Sequence, residues 1–421
     1  MFLRAAIWMI VVLGFAGPLC SQMEQWTEIE FDTEINKIPP GTKRLRVSSF
    51  DDDGYPPILV RFTDVEALWI YGGIVSQSTF KLLSNLKQLK FLRVGGLDDL
   101  PDWSKAKTDI FAALPNLDTL ELFGRFDIKE QGSWKFPPKL RRLALRDAGD
   151  WMTISVFRAA LEPPDLEELE INPPIDWVVE ASKLIGQKKG LKKLRLQGFD
   201  VDDEAACLCL SSGQIEELTL NGCDTDGSFL KALPTGSKLK ALKLLYVSEF
   251  DGRNLAELAK LNRNLSLEFQ SKDSVKTIAR WLKPIAERVE SLSLIQTSWK
   301  DADLQVFKGM KALKKLTLER CYGLDSYKSE VDTTTPQLDE LVLIGEQEDL
   351  TIEVLLDILL SQGGLRVLCV NREPVLSDEV VRKVVKASPS LQQLDLRGCP
   401  NITDQVCDEI RRTQPKLKVS R

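Results

Sequence analysis

The sequence predicts an α/β solenoid, in which parallel strands line the concave side of a curved array and helices cover its outer side. Three observations carry this. The pattern L-x-x-L-x-L recurs along almost the whole of the 421 residues. Fourteen intervals between Val65 and Leu417 give a mean period of about 25 residues, inside the range of about 20–29 for a repeat holding one strand and one return segment. Between the strand signatures, apolar residues fall at helical spacing. One such unit cannot bury its apolar face alone, so neighbours stack into a continuous core, and the helices that join parallel strands cover the sheet.

Taken in order, residues 1–21 (MFLRAAIWMIVVLGFAGPLCS) hold one basic residue, Arg4, then an apolar run from Ala5 to Gly17 and small residues near Ser21. This is the anatomy of a secretory leader, and the run is too short to span a bilayer comfortably. Cleavage after Ser21 predicts a secreted, periplasmic or otherwise extracytoplasmic chain. Residues 22–40 are expected to form an N-terminal cap, and residues 41–421 the repeats. The strand signatures run from TKRLRV (42–47), VEALWI (65–70) and LKFLRV (89–94) to LRVLCV (365–370), LQQLDL (391–396) and a final LKV (417–419), about 15–16 repeats. Helices follow. In TIEVLLDILLSQGG (351–364), Ile352, Leu355, Leu356 and Leu359 share one face and two glycines supply a stop. In LSDEVVRKVVKASPS (376–390), Ser377 caps while Val380, Val381, Val384 and Val385 face inward, and Thr403 caps the helix after it.

Numbered from the first repeat residue, Cys223, Cys321 and Cys399 fall at position 9, where the chain turns in after the strand. Cys207 and Cys407 both fall at position 17, on the inward helix face. This shared register predicts small buried thiols filling a structural slot. On these features the chain resembles leucine-rich-repeat proteins of the ribonuclease-inhibitor-like kind over nearly all its length after the leader. LRGCPNITD (396–404) with its following helix is similar to the cysteine-containing repeat of intracellular substrate-binding proteins, including F-box ubiquitin-ligase receptors. The resemblance is strongest over 391–410 and implies a non-enzymatic scaffold that recognises a protein on its concave sheet. Only about twenty residues separate the leader from the first repeat, too few for an F-box, so the ligase role is not carried over.

Seven cysteines follow the leader. The position-9 thiols sit three or more repeats apart, too far to bridge at about 4.8 Å per strand, while Cys207 is within reach of Cys209 or Cys223. Most are read as unpaired. Cys369, at position 5, looks into the concavity with no adjacent base to activate it. Asn264 and Asn401 open glycosylation sequons, the first expected in a strand and the second on a turn.

Composition narrows the function. The chain has no histidine and a net charge of −6, which becomes −7 once the leader and its Arg4 are removed. Ser-His-Asp and Cys-His catalysis and histidine metal ligation are excluded. No basic block points to nucleic acid, no phosphate loop is present, and neither a cofactor nor a metal is implied. The acidic stretches Asp51–Asp53 and Asp202–Asp203 read as solvated turns rather than cation sites.

Strand alternation sends positions 4 and 6 into the core and 3, 5 and 7 onto the concave face. That face gathers Trp69, Tyr71, Phe91 and Phe123 with Arg44, Arg46, Arg93, Arg142 and Arg146, the composition of an interface hot spot, unless residues 22–40 fold over it. Farther along, Glu168, Lys193 and Glu217 at position 3, and Glu170 and Arg195 at position 5, are expected to form lateral ion pairs. The expectation is a protein or peptide ligand on the aromatic stretch. A self-associating structural protein, with a homodimer through the open strand edge at LKVSR, is the alternative. An intracellular adaptor is the other, if the leader is misread.

Overall fold

The computed structural model describes residues 26–29, 38–39, 41–48, 62–71, 83–95, 110–123, 134–146, 152–198, 200–299, 307, 309–323, 337–345 and 364–421. The chain divides into two compact units, residues 1–194 and 195–421. In the first, β1 (Thr27–Ile29), β2 (Arg44–Ser48), β3 (Ala67–Tyr71), β4 (Phe91–Val94), β5 (Thr119–Phe123), β6 (Arg142–Arg146) and β7 (Glu168–Ile171) pair in chain order, every pair parallel. β8 (Lys193–Gln197) holds the boundary. In the second unit, β9 (Glu217–Asn221), β10 (Ala241–Leu245), β11 (Leu265–Gln270), β12 (Val289–Ile295) and β13 (Lys315–Glu319) are again parallel neighbours in chain order. They continue through β14 (Glu340–Ile344), β15 (Val367–Asn371), β16 (Gln393–Asp395) and β17 (Lys418–Ser420).

The register explains the leucine pattern. Leu45 lies beside Leu68, Leu68 beside Leu92, Leu92 beside Leu120 and Leu120 beside Leu143, and all five are fully buried. Each such side chain contributes about 1.5–3 kcal/mol by leaving water. A slip of one residue would turn that row to solvent, so the apolar row fixes the pairing. Within β4 the alternation is visible residue by residue: Phe91 and Arg93 are half-buried, Leu92 and Val94 buried.

After β9, β10, β12, β13, β14, β15 and β16 the chain turns through a left-handed residue at position 8. Glycine serves at Gly222, Gly345 and Gly398, whereas Tyr246, Gln296, Arg320 and Arg372 take the same conformation with φ of 52°, 55°, 49° and 62°. The turn is held because its amide continues the ladder. Gln296 N–H donates to Glu319 O at 2.8 Å, Arg320 N–H to Ile344 O at 3.1 Å and Arg372 N–H to Arg397 O at 3.1 Å. Position 9 then dives inward. Cys223, Cys321 and Cys399 are buried, and each thiol donates to the position-6 carbonyl of the preceding repeat: Leu196 at 3.6 Å, Leu294 at 3.6 Å and Val370 at 3.0 Å. Burial pushes the Cys223 thiol up to about 12, so the slot holds a neutral S–H donor.

The second cysteine register divides. Cys407 is buried and Cys207 only half-buried, while Cys209 takes the buried place. The helix Asp203–Leu210 is capped by Asp202, eleven residues after Leu191, whereas Asp404–Thr413 is capped by Thr403, twelve after Leu391. That missing residue in the turn rotates the pattern. Ala206 fills the slot of Cys407, Cys209 fills that of Ile410, and Cys207 moves toward solvent.

The helix Asp378–Ala387 buries Val380, Val381, Val384 and Val385 as its periodicity predicts, with Ser377 at the N-cap position but making no side-chain cap bond. Thr403 does cap, accepting from Val406 N–H at 3.3 Å. The helical stretch expected at 351–363 lies outside the described residues. The return segments Ser228–Ala232 and Arg253–Lys260 are 3₁₀ rather than α. Gly252 before the second is required by packing as well as by its φ of 74°, since a Cβ there would lie 2.0 Å from Trp281 Cγ.

Asp202 and Asp203 act within this frame. Asp202 caps its helix through Ala205 N–H at 2.9 Å. Asp203 accepts from Thr225 Oγ1 at 2.6 Å, Phe229 N–H at 2.9 Å and Asp226 N–H at 3.1 Å in the next repeat. Asp378 repeats the arrangement with Thr403 N–H at 2.9 Å and Thr403 Oγ1 at 2.6 Å. Asp51–Asp53 lie outside the described residues. Asn264 precedes β11 by one residue and is exposed rather than within the strand. Asn401 is on an exposed turn, its amide donating to Pro374 O at 2.6 Å. Among the described residues no helix is long and apolar enough to cross a membrane.

Candidate binding face

The first unit concentrates its unusual chemistry on the solvent face of its strands. Arg46 of β2, Trp69 of β3 and Arg93 of β4 are direct cross-strand neighbours. The guanidinium carbons of Arg46 and Arg93 each lie 4.2 Å from the Trp69 ring centroid, one from the strand on either side. The pattern repeats one step along: Arg93 and Arg146 of β6 each lie 4.5 Å from the centroid of Phe123 in β5. Contacts of this kind are worth about 0.5–2 kcal/mol each, more as water is excluded. The planar guanidinium suits them, where a lysine ammonium would not stack.

Two carboxylates set into this row hold the arginines. Glu121 is 5% exposed and lies 3.2 Å from Arg142 and 3.8 Å from Arg93. Glu170, 8% exposed, takes Arg146 in a bidentate pair at 2.7 and 2.8 Å. Glu170, at position 5, thus reaches back to Arg146 in the preceding repeat. At position 3, Lys193 pairs with Glu168 at 3.0 Å as expected. Burial, with the like charges of Arg146 and Arg46 beside it, pushes Arg93 down to about 10 against the pull of Glu121 and Glu170. It remains a cation at neutral pH.

The predicted aromatics divide. Trp69 and Phe91 are half-buried. Trp69 Nε1 donates to Gly95 O at 3.1 Å, which fixes its plane. Phe123 is not an open anchor, because at 4% exposure it lies beneath the two guanidiniums. Tyr71 closes β3, but its side chain lies outside the described residues. Trp26, one residue before β1, meets Trp69 edge-on at 6.4 Å and Phe91 at 6.0 Å. Trp26 thus joins the patch, itself half-buried. Arg44 is half-buried at the start of β2, and Arg142 bridges Glu121 and Glu168.

A second row at position 2, which sequence reasoning passed over, alternates in sign on the exposed rim. Glu66 is clasped by Lys43 and by Lys90 at 2.6 Å, and these hydrogen bonds pull its carboxyl down to about 2. Arg141 at 2.7 Å and Lys192 at 2.9 Å clasp Glu167 in the same way. The signal was present in the sequence as opposite charges one period apart.

Elsewhere, Cys369 is half-buried. Burial first, then the negative charges of Asp395 and Glu340, push its thiol up to about 11, away from nucleophilic chemistry. Among the described residues no group of acidic, cysteine or histidine side chains is placed to hold a metal ion.

No family model matches the chain, and no curated protein matches it in sequence. Among solved structures it is similar to a leucine-rich-repeat protein of Leptospira interrogans, at 16% identity over 94% of this chain and 100% of that one, with a TM-score of 0.37. It is also similar to yeast Rad7 in complex with Elc1, at 15% identity over 82% and 83% with a TM-score of 0.45. An internalin of Listeria monocytogenes follows at 16% over 86% and 88% with a TM-score of 0.36. The repeat itself, a parallel strand, a left-handed turn, an inward residue at position 9 and a return helix, is that of an α/β leucine-rich-repeat solenoid.

Proposed function

We propose that the chain is a non-enzymatic scaffold that binds a protein or peptide on the strand face of its first unit. One observation carries this: Trp26, Trp69 and Phe91 meet as three half-buried rings, beside arginines already fixed in place by stacking and ion pairs. Aromatic rings and arginines dominate interface hot spots. Fixing them beforehand reduces the ordering cost of association, about 0.5–1.5 kcal/mol per long side chain. The ligand this face suits is an apolar or aromatic residue flanked by carboxylates, the ring contacts giving affinity and the arginines orientation. Glu121 and Glu170 neutralise much of the positive charge, which disfavours a phosphate polymer. The leader-like residues 1–21 support placing the scaffold outside the cytoplasm, and the absence of histidine supports a role without acid–base chemistry.

Self-association through the last strand has weaker support. Lys418 N–H and Ser420 O face β16, and the carbonyl of Val419 accepts from Arg411 Nη2 at 3.2 Å. The acceptor that edge pairing would use is therefore occupied.

The test is affinity capture with mass spectrometry on the chain and on Trp69→Ala/Phe91→Ala, after circular dichroism shows both fold alike. A partner held by the first and lost by the second supports the reading. If both hold the same set, the rings are structural and the site is misplaced.

A further inference from the structure

We propose that the second unit carries a separate docking groove, on its helix side, for an acidic and apolar segment of a partner protein. A concavity of about 760 Å³ opens beside the helix Val275–Leu282 and the 3₁₀ segment Lys283–Arg288. Its lining includes four cations, Lys276, Arg280, Lys283 and Arg288, and one acid, Glu287. Its apolar wall is formed by Ala259 and Pro284, which are exposed, and by Ala279 and Ala286, which are half-buried.

The charge pattern is the argument. The whole chain is acidic, at −6, yet this groove is cationic. Lys276, Arg280 and Lys283 recur at intervals of four and three, so they share one helix face, where like charges destabilise a helix. Other helical segments of the same unit remove that penalty with a neighbouring acid: Glu379 for Lys383 at 2.7 Å, Asp408 for Arg411 at 2.7 Å, and Glu257 for Lys260. Lys276, Arg280 and Lys283 are exposed and make no ion pair with the described residues. Only Arg288 is engaged, donating to Leu261 O at 2.5 Å and Asn262 Oδ1 at 3.4 Å.

Three exposed cations along the rim of a concavity with an apolar wall complement carboxylates alternating with apolar side chains. A purely anionic polymer would leave the apolar wall unused. The groove is also too open to enclose a small anion, whereas a peptide segment can lie along it.

The experiment is fluorescence anisotropy on the full chain with a labelled twelve-residue peptide in which glutamates alternate with leucine and phenylalanine. Salt-sensitive binding is expected, weakened about tenfold or more in Arg280→Glu/Lys283→Glu and in Lys276→Glu. Trp69→Ala should leave it unchanged, which separates this groove from the strand face. No binding, or equal binding by the charge-reversed variants, would overturn the proposal. So would equal affinity for a polyglutamate or a single-stranded oligonucleotide of the same length, since charge alone would then account for the interaction.

Discussion

Replacing Glu121 by glutamine removes the charge at the centre of the arginine row while keeping the shape of the side chain. Its carboxylate lies 3.2 Å from Arg142 and 3.8 Å from Arg93. At an effective dielectric near 20, each pair attracts by about 4–5 kcal/mol before the desolvation of the charges is subtracted. Removing one partner of a fully buried pair costs about 3–5 kcal/mol. The Arg142 and Arg93 side chains keep 35% and 23% of their surface, so solvent screens the loss and the expected value falls to about 2 kcal/mol. Glutamine also turns an N–H toward a guanidinium, and Arg93 loses the carboxylate that most opposes its depressed pKa. Urea unfolding followed by far-UV circular dichroism measures the change, and a double-mutant cycle with Arg142→Gln isolates the pair, with coupling of about 1 kcal/mol or more expected. If Glu121→Gln stays within about 0.5 kcal/mol of the parent, a surface-like effect, the carboxylate does not organise this face and the account of its preorganisation is wrong.

Asp203→Ala should cost about 1–3 kcal/mol at neutral pH, because three donors in the next repeat lose one acceptor. Burial raises the Asp203 carboxyl, but hydrogen bonds from Thr225, Phe229, Asp226 and Ser228 outweigh it and hold the group below its ordinary value. Its contribution is thus present above the unfolded pKa of about 3.9 and lost as pH falls through the lower folded value; a parent–variant difference undiminished at pH 2 would contradict this. Thiol labelling of the folded chain, read by mass spectrometry, should modify half-buried Cys207 before Cys223, whose buried thiol sits near 12; the reverse order would refute the assignment of slots. Arg411→Ala should free the Val419 carbonyl and raise self-association in sedimentation velocity, and a variant no more associated than its parent would show that Arg411 does not guard this edge.

The architecture was legible because its cause is periodic. Leucines at positions 4 and 6 and thiols at position 9 repeat with the stack, and stacking is what buries them. Features that depend on one residue more or less were not legible. The shorter turn before Asp203 exchanges Cys207 for Cys209, because the helix register starts from its cap and counting positions from the strand misses the shift. Position 5 correctly placed Trp69 and Arg93 on the open face, but alternation says which side a residue occupies, not how deep it lies. Glu121 and Phe123 are on that face and still buried, because arginines from adjacent strands fold over them. Trp26 precedes the periodic part of the chain, so no register pointed to it. The carboxylates at 121 and 170 carry the same signal as many surface acids, and only their burial separates them.

That depth bears on what this face can do. An arginine waving in solvent offers charge but loses several rotatable bonds' worth of freedom when it binds. Here Arg46, Arg93 and Arg146 are stacked and Arg146 is also held bidentately, so their side-chain entropy is spent in folding rather than in recognition. The same contacts remove much of their free charge, which lowers non-specific attraction to polyanions while leaving guanidinium edges in fixed positions. Selectivity then rests on geometry, because a ligand gains from this face only if its apolar group meets Trp69 and Phe91 while its acceptors reach those edges. In the groove of the second unit the balance is opposite: Lys276, Arg280 and Lys283 are exposed and make no ion pair with the described residues, so long-range attraction is strong and orientation weak. Two faces built this way suit two kinds of contact, one specific and slow to release, the other fast, salt-sensitive and permissive.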